Sequence, residues 1–254
     1  MGLEIGDETW AWAVGHAGIW ALVAARVLGL CLTAPAFAVS SLDWRLRLVL
    51  ALLLSAVVIP VLAPLISPPL NLASAGWGLV LEVLMGGMLG WSAALIIAGA
   101  RLGGELVAAQ AGLSTASLFD PDTGEESTVL GRLYGWIALA VFLGLDGPLI
   151  LISALVESYG AVPAGRLLIS QQTAEQTFAQ VGLALELSLR AAAPPALALT
   201  LAGIVLGWLS RAAPSLPFVA LALPIRSVLG VALVIISAAT LAATLASAWD
   251  TFPF

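Results

Sequence analysis

From Leu48 to Leu81 the chain runs for 34 residues without a charged side chain. A soluble domain, in which about a quarter of residues are charged, has no place for such a stretch. Here charged residues make up 9% of 254 and hydrophobic ones 61%, lysine is absent, and the mean hydropathy is +1.08. The same figures exclude a disordered chain. The single cysteine, Cys31, excludes a disulfide scaffold, and a net charge of -6 without a basic run excludes a nucleic-acid binder. The chain reads as an integral membrane protein.

A spanning helix needs about 20 apolar residues, so the uncharged run is too long for one crossing. Pro60, Pro64, Pro68, Pro69 and Asn71 divide it into a helix over Leu48–Ile66 and another from about Ala75 to Ala100. Before it, Trp10 to Val39 forms a first segment carrying His16 and Arg26. Its acidic lead of Glu4, Asp7 and Glu8 is the wrong n-region for a cleaved signal peptide, so the segment is expected to be retained. Arg45, Arg47 and Arg101 place the flanking ends on the cytoplasmic side by the positive-inside rule. Further on, Asp146-Gly147-Pro148 breaks the apolar stretch Leu133–Val156 into a broken or re-entrant helix. A helix starting at Thr173 is expected to kink at Pro194-Pro195 and stop between Arg211 and Pro217, and a last apolar segment runs from Phe218 to Trp249. This gives about six apolar segments in a single membrane domain, divided near residue 130 into N-terminal helices (1–130) and C-terminal broken helices with a hairpin (131–254).

Catalysis finds few parts. His16 is the only histidine, which rules out a His-Glu-x-x-His zinc site, and no lysine exists to complete a phosphate loop. Ser92 fits a hydroxyl bonded to its own helix better than a nucleophile. Asp146 has no aspartate counterpart in another segment. Neither cofactor nor metal is expected.

The informative side chains are charged ones inside apolar surroundings: Arg26, Glu82, Glu105, Glu186 and Arg190. Each must face protein, water or an opposite charge, either as ion pairs that hold helices or subunits together or as a proton or substrate path. Glycine pairs at G-x-x-x-G spacing, Gly86/Gly90, Gly99/Gly103, Gly131/Gly135 and Gly203/Gly207, allow close helix approach. Glu82, Gly86 and Gly90 share one helix face. The segment Gly103–Pro121 is built of small and weakly polar residues, with Gly104, Glu105, Gln110, Gly112, Leu113, Ser114 and Ala116, and leads into the acidic window Asp120–Glu126. Leu102, Leu106, Ala109, Leu113 and Ala116 would form one apolar stripe at helical spacing. The segment fits either a flexible strip closing a pore or an amphipathic surface helix.

Several stretches taken in order resemble the FliR family of flagellar export-gate proteins and its injectisome counterpart, the T subunit of type III secretion. They are Arg26, Gly29 and Pro35; Arg45 or Arg47 and Pro60; Glu82, Gly86 and Gly90; Gln110, Gly112, Leu113, Ala116, Asp120 and Pro121; Ser158-Tyr159 with Pro163 and Gly165; and Arg190, Pro194, Gly207, Arg211 and Pro214. The chain departs from the family pattern at Asp146-Gly147-Pro148, at Pro217 and near Gly203.

The resemblance implies an all-α membrane protein, about six broken helices arranged as hairpins in a heteromeric export gate of the bacterial inner membrane, within a flagellar basal body or injectisome base. It implies P-type and Q-type (FliP-like and FliQ-like) membrane subunits, an FlhB-like switch subunit, unfolded exported proteins in transit and membrane lipid as partners, with no nucleic acid. It also implies that Gly103, Gly104, Gln110, Gly112, Leu113, Ser114 and Ala116 belong to a pore plug. Arg26, Glu82, Gly86, Gly90, Glu105, Arg190 and Arg211 would then hold buried charge or pack subunits. The alternatives are an autonomous secondary transporter for a small molecule, with a site at the breaks near Pro148 and Pro194-Pro195, or an intramembrane enzyme.

Overall fold

A computed structural model describes residues 4–35, 37, 43–63, 66, 72–113, 128–165, 171–212 and 218–251. Seven helices and no strand are present among the described residues: α1 (Glu4–Thr33), α2 (Trp44–Leu62), α3 (Leu72–Ala111), α4 (Val129–Gly144), α5 (Gly147–Ala161), α6 (Gln171–Ala212) and α7 (Phe218–Thr251). Four of them are long and apolar enough to cross a membrane, and α4 with α5 passes the same test as one broken span. The chain is therefore an all-helical, multi-pass membrane protein.

The helix breaks follow local chemistry. Pro60 sits near the end of α2, and Thr128 caps α4 by accepting from the Gly131 N–H at 3.1 Å. Between α4 and α5, Asp146 takes a left-handed backbone (φ 55°), and its carbonyl accepts from Leu149 and Ile150. Pro148 follows in the first turn of α5, where a missing N–H costs nothing. Most helix bounds shift by a few residues from those expected, and the prolines expected to kink the sixth helix do not end it. The chain stays helical through Pro194-Pro195, so α6 is one 42-residue helix. Helix α3 continues past the expected end at Ala100 to Ala111, and Gly103 and Gly104 within it face neighbouring helices.

Two compact units emerge, interleaved in sequence. The first takes Met1–Ala94 with Asp146–Thr177, and the second takes Leu95–Leu145 with Phe178–Pro253. In the first, α1 packs on α2 and on the early part of α3; its core includes Val23, Leu30, Cys31, Leu62 and Leu155. In the second, α4 packs on α7, where the rings of Phe142 and Trp249 lie 4.6 Å apart.

Candidate functional site

The first unit is built around a charge. Arg26 on α1 and Glu82 on α3 are both fully buried and form a two-pronged ion pair. Arg26 Nε donates to Glu82 Oε2 at 2.5 Å and Nη2 to Oε1 at 3.1 Å. Further bonds engage four of the five guanidinium N–H groups in all. Nη1 donates to Ser158 Oγ at 2.8 Å, and Nη2 also reaches the Val162 carbonyl at 3.2 Å. Glu82 Oε1 accepts from the Gly165 N–H at 2.7 Å. The guanidinium carbon stands 3.7 Å above the Tyr159 ring, a cation–π contact away from water. Bonding of this extent is what lets a charge pair survive without solvent. It ties α1, α3, α5 and the turn after α5 to one point.

Close backbone approach makes the pairing reachable. At Gly86, one turn beyond Glu82, a Cβ would overlap the Arg26 carbonyl; Gly29 and Gly90 are equally tight against Val83 and Thr33. Only glycine lets α1 come near enough for a guanidinium to meet the carboxylate squarely. Ser92, on the same helix, donates to the Leu89 carbonyl at 2.7 Å and so bonds its own backbone.

In the second unit the late part of α3 presents a face of small residues. Gly103, Gly104, Val107, Ala108 and Ala111 are buried, while Leu102, Leu106, Ala109 and Gln110 are exposed. The expected apolar stripe through Leu102, Leu106 and Ala109 therefore points outward. Inside a membrane protein large side chains gain nothing by leaving lipid, whereas small ones allow helices to touch. A Cβ at Gly103 would lie 2.8 Å from the Ser188 carbonyl oxygen, and one at Gly104 2.6 Å from that of Leu130. Those two residues are helix contacts in the described structure, not flexible joints.

The helix ends at Gly112, whose φ of 77° suits a residue without Cβ. Leu113 N–H returns to the Ala108 carbonyl at 2.9 Å and Gly112 N–H to that of Ala109 at 3.2 Å, a Schellman termination. Ser114 and Ala116 lie outside the described residues. Past them, Glu105 accepts from the Thr128 N–H at 2.8 Å, and its carboxylate lies where a Gly131 Cβ would be. The start of α4 is thus fastened to α3 two turns before that helix ends.

The other charged residues are placed differently. Glu186 and Arg190 pair at 2.5 Å across one turn of α6, yet are 51% and 67% exposed. Arg211, in the last turn of α6, is exposed. Sequence reasoning gave no role to Arg226 or Thr200, which stand with Gln110 around a cavity in the second unit. The signal was available, because Arg226 is the sole cation of its apolar run. No group of three or more metal-ligating side chains occurs among the described residues.

Comparison with known proteins covers almost the whole chain. The family described as bacterial export proteins, family 1, matches residues 17–252. A flagellar biosynthetic protein FliR from Pectobacterium carotovorum subsp. carotovorum is 32% identical over 206 residues, 81% of this chain and 78% of that protein. The protein of the same name from Escherichia coli K12 is 31% identical over 233 residues, 91% and 87% of the two chains. Yop proteins translocation protein T of Yersinia pestis is 30% identical over 157 residues, 61% of this chain and 60% of that one.

Proposed function

The chain belongs to bacterial export proteins, family 1, and on that premise we propose that it is a structural and gating subunit of a flagellar or type III secretion export apparatus. The observation that carries this reading is the family match across residues 17–252. The geometry supports membership of an assembly. The apolar part of α6, Phe178–Ala212, is 35 residues long and mostly exposed. At 1.5 Å per residue it measures about 52 Å, against about 30 Å of hydrocarbon. Even a tilt of about 40° lengthens the path only to about 39 Å. The surplus, and the exposed Glu186–Arg190 pair upon it, need covering by protein or water. Neighbouring subunits supply that cover.

In this reading the neighbours are the smaller P-type and Q-type membrane subunits and an FlhB-like switch subunit, in the bacterial inner membrane, and unfolded substrate proteins pass through the shared pore. The segment beyond Gly112 serves as the plug, and the Glu105–Thr128 tie and the Gly112 termination anchor its two ends. Catalysis plays no part. The transporter alternative places its site at breaks near Pro148 and Pro194-Pro195, and α6 continues as helix through the second. Removing the chain from its host is expected to abolish secretion of flagellar or injectisome substrates, measured in culture supernatants, and resupplying it to restore secretion. Undiminished secretion in its absence would contradict the proposal.

A further inference from the structure

Arg226 lies on α7, within the apolar stretch Ala222–Trp249. No acidic side chain among the described residues pairs with it, and its Nε is buried without a hydrogen-bond acceptor. One terminal nitrogen presses on Gly203 of α6, where a Cβ would collide with it. Two cavities meet at these two residues. One, of about 420 Å³, reaches Gln110 and Thr200; the other, of about 330 Å³, runs along Gly207 and Ser210. Gly207 has no atom within 4 Å of a Cβ position, so the groove is open there, whereas at Gly203 the guanidinium itself occupies it. In the first cavity Thr200 Oγ1 donates to the Ala196 carbonyl at 2.8 Å and lies 3.4 Å from Gln110 Oε1.

An arginine in an apolar helix without a counter-charge costs several kcal/mol, and a carboxylate held by two parallel N–H bonds is the partner that best removes this cost. A glycine with open space above it, as at Gly207, lets a helix backbone approach closely. We propose that Arg226 is the docking point for an Asp or Glu side chain on a membrane helix of another subunit, which lies against the open surface at Gly207. A lipid phosphate could meet the guanidinium but would leave that groove unfilled. The helix satisfies both features. The inference rests on the assembly reading above and assigns one contact within it.

The test is purification of the tagged chain in mild detergent as wild type, Arg226→Lys and Arg226→Gln. A photoreactive benzoylphenylalanine at Ile204, exposed beside the cavity, is crosslinked in the background with Arg226 intact. The Gln variant is expected to lose at least about tenfold of a co-purifying subunit, as loss of a desolvated charge partner does, while Lys, which keeps the charge, retains most of it. The crosslink is expected to map to another subunit within a turn of an Asp or Glu. Partners held equally by the Gln variant, or a crosslink to lipid or to a helix without an acid, would overturn the assignment. If Arg226→Gln does not accumulate, the crosslink decides alone. A wild type that purifies with no partner at all would sink the assembly reading itself, and this contact with it.

Discussion

Glu82→Leu is expected to destabilise the first unit by about 3–5 kcal/mol, the usual cost of leaving one member of a buried pair unmatched. The substitution strands the Arg26 guanidinium, fully buried on α1, and frees the Gly165 N–H from its acceptor. A loss of that size reduces the folded-to-unfolded ratio at least about a hundredfold. It should appear as a sharply lowered melting temperature in detergent and as depletion from the membrane. Two further variants separate charge from packing. Arg26→Met with Glu82→Leu removes both charges and should recover part of the loss. The exchanged pair Arg26→Glu with Glu82→Arg should recover little. It would set a carboxylate against the Val162 carbonyl and a guanidinium against the Gly165 N–H, both wrong in sign. A single variant that melts with the parent would show that the pair does not hold α1, α3 and α5 together.

Deleting Ser114–Ser117 is expected to turn the assembled gate from closed to leaking. The deletion spares the Gly112 termination, the buried glycine face at 103–104 and the Glu105–Thr128 tie, so the helices of the second unit should persist. Extending it back to Gly103 would instead tear out contacts with α4 and α6 and confuse leakage with unfolding. Conductance of the reconstituted complex, or entry of a small normally excluded solute into cells, reads the effect directly. Closed-level conductance in an intact complex would remove the plug role from this segment.

Much of this was legible in the residues. Scarce charge identified a membrane protein, and the breaks at Asp146-Gly147-Pro148 and after Arg211 lie where turn chemistry placed them. The match of Arg26 to Glu82 was not legible. Both were visible as charges in apolar runs, but they lie 56 positions apart, and periodicity carries no information on which helix meets which. The expected end of α3 at Ala100 falls short, because the small residues after it, Gly103 and Gly104 among them, continue the helix. Their role depends on α4 and α6 approaching within contact distance, a tertiary condition that local propensity does not contain. The same applies to the outward stripe of Leu102 and Leu106, since a helix in lipid buries its small face and exposes its large one. Proline at 194 and 195 removes donors from α6 without ending it, a reminder that a long helix can tolerate such gaps.

The length and exposure of α6 support the proposal that this chain is one part of a larger body, and that proposal can be met head-on. The tagged protein is extracted from its own host in mild detergent, and the mass and composition of what accompanies it are determined. The account predicts one copy of this chain with several copies of two smaller helical membrane proteins. A monodisperse monomer or homodimer, with the surplus of α6 covered by detergent alone, would contradict it.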